Sequence, residues 1–300
     1  MAQQLRAIKR RISSVKSTQK ITSAMELIAS SRVVKAQQRV EAARPYAEEM
    51  RRLMTAVAAN AGQIDHPLLK EREEVTTVAT VVVTSDRGLA GAYNSNVLRF
   101  AERDMERHGR ENRLYLVGKK AITYFKFRGY EFDDANTWQG ISDRPGIEDG
   151  RKVAREVTKA FSDGEVDEVR LVYTRYVSAL TQRPAVVQLL PLPKEELEEM
   201  AEESREHKAT PSYLYEPEPE EILGLLVPRY VEGNILQGLL EAAASEHAAR
   251  RRAMKAATDN ASDLIDDLTR VYNQARQAEI TTEIMEVIGG AEALSTAGRE

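Results

Sequence analysis

The stretch VVVTSDRGLAGAYNSN, Val81 to Asn96, has the layout of a phosphate-binding turn. A β-branched apolar run enters a segment holding Gly88 and Gly91, and a helical pattern follows. A helix N-terminus after a glycine turn offers unpaired N–H groups to an anion. The glycine spacing argues against that chemistry. A dinucleotide site needs G-x-G-x-x-G, and a P-loop ends in G-K-[ST]; here there is only Gly88-Leu-Ala-Gly91, with no lysine behind it. The segment therefore reads as a tight strand-to-helix turn in which Asp86 and Arg87 pair locally. Other reactive groups are scattered. The four histidines, His66, His108, His207 and His247, have no metal-ligand spacing. No G-x-S-x-G elbow is present, and the chain has no cysteine for thiolate chemistry or disulfides. Asp266 and Asp267 fall on a charged helical pattern and read as solvated. The sequon Asn260-Ala-Ser262 lies inside a helical seam and is discounted. No catalytic, cofactor or metal site is expected.

The elements around this turn explain what the chain offers instead. Residues 3 to about 60 read as one long helix, because no glycine occurs before Gly62 and Leu5, Ile8, Ile12 and Val15 follow 3-4-3 spacing. Gln19, Thr22 and Glu26 continue that seam into Val33, Ala36, Val40 and Ala43. Ile21, Met25 and Ile28 form a second stripe, more than one helical partner would cover. Pro45 is expected to kink the helix or begin its next segment. Some 58 helical residues would span about 87 Å at 1.5 Å per residue, so the helix is expected to protrude from any compact base.

The C-terminal part mirrors it, with a helix expected from Pro228 to about Ile288. Met254, Ala257, Ala261, Leu264, Leu268, Val271, Ala275, Ala278, Thr282 and Met285 form an unbroken 3-4 seam. Ile265, Tyr272, Ile284 and Ile288 lie beside it. Two such helices at opposite ends of a chain pair antiparallel. Between them, strands are expected at Thr76–Thr84, Leu114–Val117, Tyr130–Asp133, Glu168–Tyr176 and Ala185–Leu190, the last two forming an antiparallel hairpin. Helices are expected at Val97–His108, Ala121–Phe127 and Asp149–Phe161. The fold class is α/β: long N- and C-terminal helices in an antiparallel coiled coil, with a central Rossmann-like domain whose sheet is mostly parallel. The division expected is a coiled-coil helix over 1–65, an α/β base over 75–193, an acidic linker over 194–216 and a second coiled-coil helix over 217–300.

Charge is unevenly placed. Residues 1–52 hold twelve Lys or Arg against four Glu, whereas 194–221 hold eleven Glu against three basic residues. The basic half suits an acidic partner surface. Aromatics are not interleaved with it and no nucleic-acid motif occurs, so nucleic acid is not an expected partner. The N-terminus lacks the apolar core of a secretory signal, and no run approaches the roughly 20 apolar residues of a membrane helix. The residues alone thus leave two functions open: a mechanical or interaction protein, or a nucleotide-binding α/β protein with a coiled-coil interaction arm.

Four stretches narrow this. KITSAMELIASSRVVKAQ (20–37), TSDRGLAGAYN (84–94), YLYEPEPEEIL (213–223) and the run from SEHAARRRAMKAATDNASDLI (245–265) to YNQARQAEITTEIMEVIGGAEAL (272–294) resemble the gamma subunit of F-type ATP synthase, in a bacterial form. The resemblance spans nearly the whole chain in order. Ala90 and Ala92 stand where relatives often carry Cys and Gly, and the acidic stretch 194–210 is longer than the family leads one to expect.

The resemblance implies a non-catalytic central rotor shaft on the cytoplasmic face of the plasma membrane. One copy would stand inside three alpha and three beta subunits, with the epsilon subunit and the c ring at its base. Proton-driven rotation would cycle the catalytic beta sites. By motif match, Met25 and Arg250 would lie near an acidic loop of beta. Arg276, Gln277, Thr281 and Glu283 would contact the catch region of beta and alpha, and Tyr213, Tyr215 and Glu216 would sit on the c ring. On spacing alone, Met25 reads as ordinary helix packing, and Arg276 and Glu283 as solvated charge.

Overall fold

The computed structural model describes residues 2–60, 72, 74–192 and 219–297. The expected acidic linker and Tyr213, Tyr215 and Glu216 lie outside the described residues. In chain order the elements are α1 (Ala2–Asn60), β1 (Thr77–Val83), α2 (Tyr93–His108), β2 (Glu111–Val117), α3 (Lys119–Phe127), β3 (Thr137–Trp138), α4 (Ile147–Ser162), β4 (Glu168–Tyr176), β5 (Gln182–Leu190) and α5 (Pro219–Ala297). Pro45 lies inside α1, which continues as one helix through it, and α5 begins at Pro219 with Pro228 inside. The chain divides into two compact units, Ala29–Arg250 and Met1–Ile28 with Arg251–Glu300.

The first unit is an α/β layer. Its five-stranded sheet has the order β3-β2-β1-β4-β5. β1 pairs parallel with β2 and β4, β2 pairs parallel with β3, and β4 pairs antiparallel with β5. Strand alternation sends Val81 and Val83 to one face and Val82 to the other. On the first face α4 packs with residues 227–242 of α5, through Val153, Val157, Phe161, Val231, Ile235 and Leu239. On the second face α2 and α3 pack through Val97, Ala101, Ala121 and Phe125. A β1 buried on both sides explains its continuous apolar run.

The third strand is not Tyr130–Asp133 but Thr137–Trp138, which pairs with Leu116 and Val117. Tyr130 and Phe132 instead cover the second core, Tyr130 meeting Phe125 edge-on at 5.2 Å between ring centroids. Their alternation reflects a covering loop rather than a pleat. Two glycines are required by close approach. Gly118 has φ 92°, and a Cβ there would lie 2.4 Å from the Thr84 carbonyl oxygen. A Cβ on Gly238 would lie 2.7 Å from Leu171 Cδ2, where α5 crosses the sheet.

The second unit pairs the first 28 residues with the last stretch of α5. Thr258 Oγ1 donates to Thr22 Oγ1 at 2.8 Å, and Lys255, hydrogen-bonded to Asp259, lies in the field of Glu26. Position 22 facing 258 and 26 facing 255 makes the pair antiparallel. Leu5, Ile8, Ile12, Val15, Gln19, Thr22 and Glu26 are protected on α1 in this unit, as the seam predicts, and Met25 is half-buried beside them.

On α5 the seam needs correction. Met254, Thr258, Ala261, Ile265, Leu268, Tyr272 and Ala275 face inward at 4-3-4-3 spacing, with Ala257 half-buried beside Thr258, while Leu264, Val271, Ala278, Thr282 and Met285 are exposed. Heptad patterns cannot separate two neighbouring seam positions, because 3.6 residues per turn drifts against a 3.5 repeat.

Candidate functional site

In the Ala29–Arg250 unit the helices after β1 and before β4 lie on opposite faces of the sheet. The carboxyl end of β1 is therefore the topological switch point, where doubly wound folds hold ligands. The turn of the opening motif sits there. Thr84, the residue after β1, receives the Ala121 N–H at 2.9 Å and donates to the Val117 carbonyl at 3.0 Å. Ser85 Oγ donates to the Arg87 carbonyl at 2.5 Å, and Ser85 N–H donates to Asn94 Oδ1 at 3.0 Å. Leu89 has φ 61°, a left-handed conformation rare for a branched residue, and its side chain is exposed.

This crevice holds an anion, and the anion belongs to the chain. Asp86 Oδ1 accepts the Lys119 N–H at 3.0 Å, at the N-terminus of α3. Its Oδ2 accepts from Gly140 N–H at 3.0 Å and from Ser142 Oγ at 2.8 Å, with Ser142 N–H at 3.4 Å. The N–H groups that face the crevice from the start of α3 and from residues 140–142 are thus taken by a carboxylate of the chain itself. The expected local pairing of Asp86 with Arg87 is not what the loop does. Arg87 is exposed, and the fixed N–H groups outcompete a mobile side chain because they are already ordered.

Beside Asp86, α5 inserts Glu246, His247 and Arg250, all buried. Arg250 pairs with Glu246 at 2.5 Å and donates to the Gly88 carbonyl from Nε at 3.3 Å and Nη2 at 3.1 Å. Burial pushes the Glu246 carboxyl up to about 7, against the opposing pull of Arg250, while Asp143 and Asp86 add to the rise. Burial also lowers the His247 pKa, opposed by its contacts with Asp143.

Arg250 Nη1 lies 3.4 Å from His247 Nδ1, and His247 Nε2 lies 3.3 Å from the Asp143 carbonyl oxygen. A guanidinium can only donate, so Nδ1 accepts and the ring proton sits on Nε2. Asp143 Oδ1 in turn accepts from Arg32 of α1 at 2.6 Å. One chain of hydrogen bonds therefore runs from Gly88 through Arg250, His247 and Asp143 to Arg32.

The residues expected from motif matching fall in both units. Arg250 is buried, and its guanidinium is committed to Glu246, Gly88 and His247. Met25, in the other unit, is half-buried. Arg276, Gln277, Thr281 and Glu283 are exposed on α5, where Thr281 Oγ1 donates back to the Gln277 carbonyl at 2.9 Å. Sequence reasoning did not single out Asp143, Ser142, Arg32 or the Glu246 carboxyl. One signal was available: Glu246 and Arg250 stand at i, i+4 inside an alanine-rich stretch, a spacing that pairs them on a helix.

Among the described residues no cluster of His, Asp and Glu is placed to hold a metal ion, and no helix is long and apolar enough to cross a membrane.

Comparison with known proteins completes the picture. The family model described as ATP synthase matches residues 4–294. The ATP synthase gamma chain of Saccharopolyspora erythraea is 48% identical over 314 residues, covering 99% of each chain. That of Acidothermus cellulolyticus is 50% identical over 308 residues, covering 100% of each chain. The fold matches a chain of the Euglena gracilis mitochondrial ATP synthase, OSCP/F1/c-ring, in rotational state 3, with a TM-score of 0.65 at 20% identity, covering 100% of this chain and 97% of that one. A chain from the rotor of the same enzyme matches with a TM-score of 0.64 at 19% identity, covering 93% of this chain and 100% of that one. With a switch-point crevice filled by its own side chains and full-length kinship near 50% identity, this chain belongs to the ATP synthase gamma-chain family.

Proposed function

We propose that the chain is the central rotor shaft of a rotary proton-transporting ATP synthase, a non-catalytic subunit that couples rotation of a c ring to the conformational cycle of catalytic beta subunits. The observation that carries this reading is the end-to-end match to ATP synthase gamma chains at 48–50% identity. Physical features support it. The Met1–Ile28/Arg251–Glu300 unit leaves Ile21, Leu27, Ile28, Ile284, Val287 and Ile288 exposed on an otherwise charged helix pair. Apolar side chains displayed on a two-helix unit suit a surrounding protein sleeve. The base carries a crevice closed by Asp86 rather than open to a nucleotide.

In this reading one copy stands within three alpha and three beta subunits. ATP chemistry resides in those subunits, and epsilon and the c ring attach at the base. Residues 1–65 and 217–300 form the shaft, 75–193 the base and 194–216 a linker. Met25, Arg276, Gln277, Thr281 and Glu283 face beta and alpha, and Tyr213, Tyr215 and Glu216 rest on the c ring. Arg250, with Met25, lies near the acidic loop of beta, and its guanidinium also anchors α5 to the β1 loop. The complex sits at the cytoplasmic face of the bacterial plasma membrane, with this chain peripheral to it.

The test is co-expression of the full chain with alpha and beta subunits of the same organism. Co-purification as one copy per three of each, with ATP hydrolysis dependent on the chain, is expected. Purification of the chain free of both subunits would overturn the reading.

A further inference from the structure

Among the described residues of the crevice, Asp143 makes contacts that reach both long helices. Its carboxylate accepts from Arg32 of α1 at 2.6 Å, and its carbonyl receives His247 Nε2 of α5 at 3.3 Å, with the carboxylate oxygen 3.6 Å from the same nitrogen. Asp143 sits in the loop between β3 and α4, next to Ser142, which binds Asp86 from the β1 loop. Arg32 lies four residues past Ile28 and His247 four residues before Arg251, the two points where the chain divides into its units. All of these contacts lie within the Ala29–Arg250 unit.

Elsewhere in this unit Tyr176 of β4 reaches Gln37 of α1 at 3.4 Å and Glu241 of α5 at 3.1 Å, and the direct contact between α1 and α5 is of another kind. Val40, Leu240 and Ala244 meet as an apolar cluster, with Ala36, Ala43 and Leu236 around them. Apolar contact is non-directional, so two helices can roll on it with little penalty. A charge-assisted hydrogen bond depends on distance and angle and resists rolling. A shaft under torsional load needs directional ties to its base; Asp143 supplies one to each long helix from a single loop residue, alongside the tie of Arg250 to the Gly88 carbonyl.

Resting on the rotor reading above, we propose that Asp143 is a positioning residue for energy coupling. It fixes the rotational setting of both long helices against the sheet, so that torque is transmitted instead of lost as helix roll. Arg32 and His247, which donate to it, are its partners on the two helices. Asp143 acts through the helices it holds and is assigned no catalytic role.

The experiment uses the assembled ATP synthase in membrane vesicles and measures ATP-driven proton pumping per ATP hydrolysed. Asp143→Ala should assemble and hydrolyse ATP, with the pumping-to-hydrolysis ratio reduced about threefold or more. Asp143→Glu should restore much of the ratio, because it can still reach Arg32. Thermal denaturation of each variant chain separates a structural effect, which would lower the melting temperature and the yield of complex while leaving the ratio unchanged. A wild-type ratio in assembled Asp143→Ala overturns the proposal. If Asp143→Ala does not assemble, Arg32→Gln and His247→Gln probe the same two ties from the helix side, and wild-type ratios in both overturn it equally. Failure of the unmodified chain to enter the complex would instead refute the rotor reading.

Discussion

The two units of this molecule differ in what they take inside, although both leave large apolar side chains outside, Phe127 at 86% and Leu180 at 77% in the Ala29–Arg250 unit. In the Ala29–Arg250 unit charged groups are taken inside and matched: Glu246 is 2% exposed and Arg250 8%, and each has named partners. In the Met1–Ile28/Arg251–Glu300 unit apolar groups are left outside: Leu27 is 74% exposed and Val287 72%. The first arrangement is self-sufficient, because buried polar groups are tolerable only when paired. The second is incomplete, because a solvated helix pair has no internal use for outward leucines and valines. The base is built to hold its own shape, and the helix pair is built to be surrounded.

That contrast can be broken, beginning with the changes of largest effect. Gly118→Val places a side chain against the Thr84 carbonyl at a backbone φ of 92°. Strain and overpacking together should cost about 5 kcal/mol, read as loss of the cooperative unfolding transition of the full chain. Arg250→Ala leaves Glu246 buried without its cation and frees the Gly88 carbonyl. Denaturant unfolding at pH 8 should show a loss of about 4 kcal/mol.

The third prediction concerns pH. The folded-state pKa of Glu246 is raised from 4.5 to about 7. Its contribution to stability is therefore full below pH 4.5 and is lost as pH rises toward and through 7. His247 runs the other way: its folded pKa is lowered from 6.5, so its contribution is full above pH 6.5 and is lost as pH falls below it. In the wild type these slopes oppose each other just below pH 6.5. Glu246→Gln removes only the first, so its stability relative to wild type should climb between pH 5 and pH 8 by about 2 kcal/mol. A difference that stays flat across that range would mean the carboxyl is not so perturbed.

The helix pair should behave as the inverse. Leu27→Ser and Val287→Ser should shift the stability of the full chain by less than about 0.5 kcal/mol, while weakening its co-purification with alpha and beta. A large loss of stability in the free chain would place those side chains in an internal core. The smallest effect is expected at Arg276→Ala. Exposed charge pairs contribute about 0–1 kcal/mol each, and a rotating surface must release each contact at every step. Rotation of an assembled complex should persist in that variant. Its abolition would show coupling concentrated in one residue and not spread over the helix.

Calorimetry of the full chain with ATP, ADP or NAD bears on the same contrast. With Asp86 occupying the cradle, no micromolar binding is expected, and such binding would mean that the crevice opens.

Much of the architecture was legible in the sequence because it rests on periodicity. The apolar run before Thr84 made β1 a buried strand, and the 3-4 spacing of Leu5, Ile8, Ile12 and Val15 marked the inward face of α1. Absence of the fingerprint glycines argued against a phosphate site, and full-length motifs pointed to the family. These features are local: each follows from residues within a few turns or one strand.

What the sequence could not settle depended on distant residues meeting. Tyr130 and Phe132 alternate like a strand, but the sheet edge went to Thr137–Trp138, which found the partners Leu116 and Val117. Leu264 and Ile265 are equally apolar neighbours, and only the position of the facing helix turned Ile265 inward. Asp86 had an arginine beside it in sequence, yet its partners come from Lys119, Gly140 and Ser142. The tie from Arg32 to Asp143 joins residues 111 positions apart. Spacing encodes which face of an element is apolar, because that is a property of one segment. Which polar groups close the crevice was decided by the tertiary fold, because a buried charge is stable only where packing brings its partner within hydrogen-bond reach.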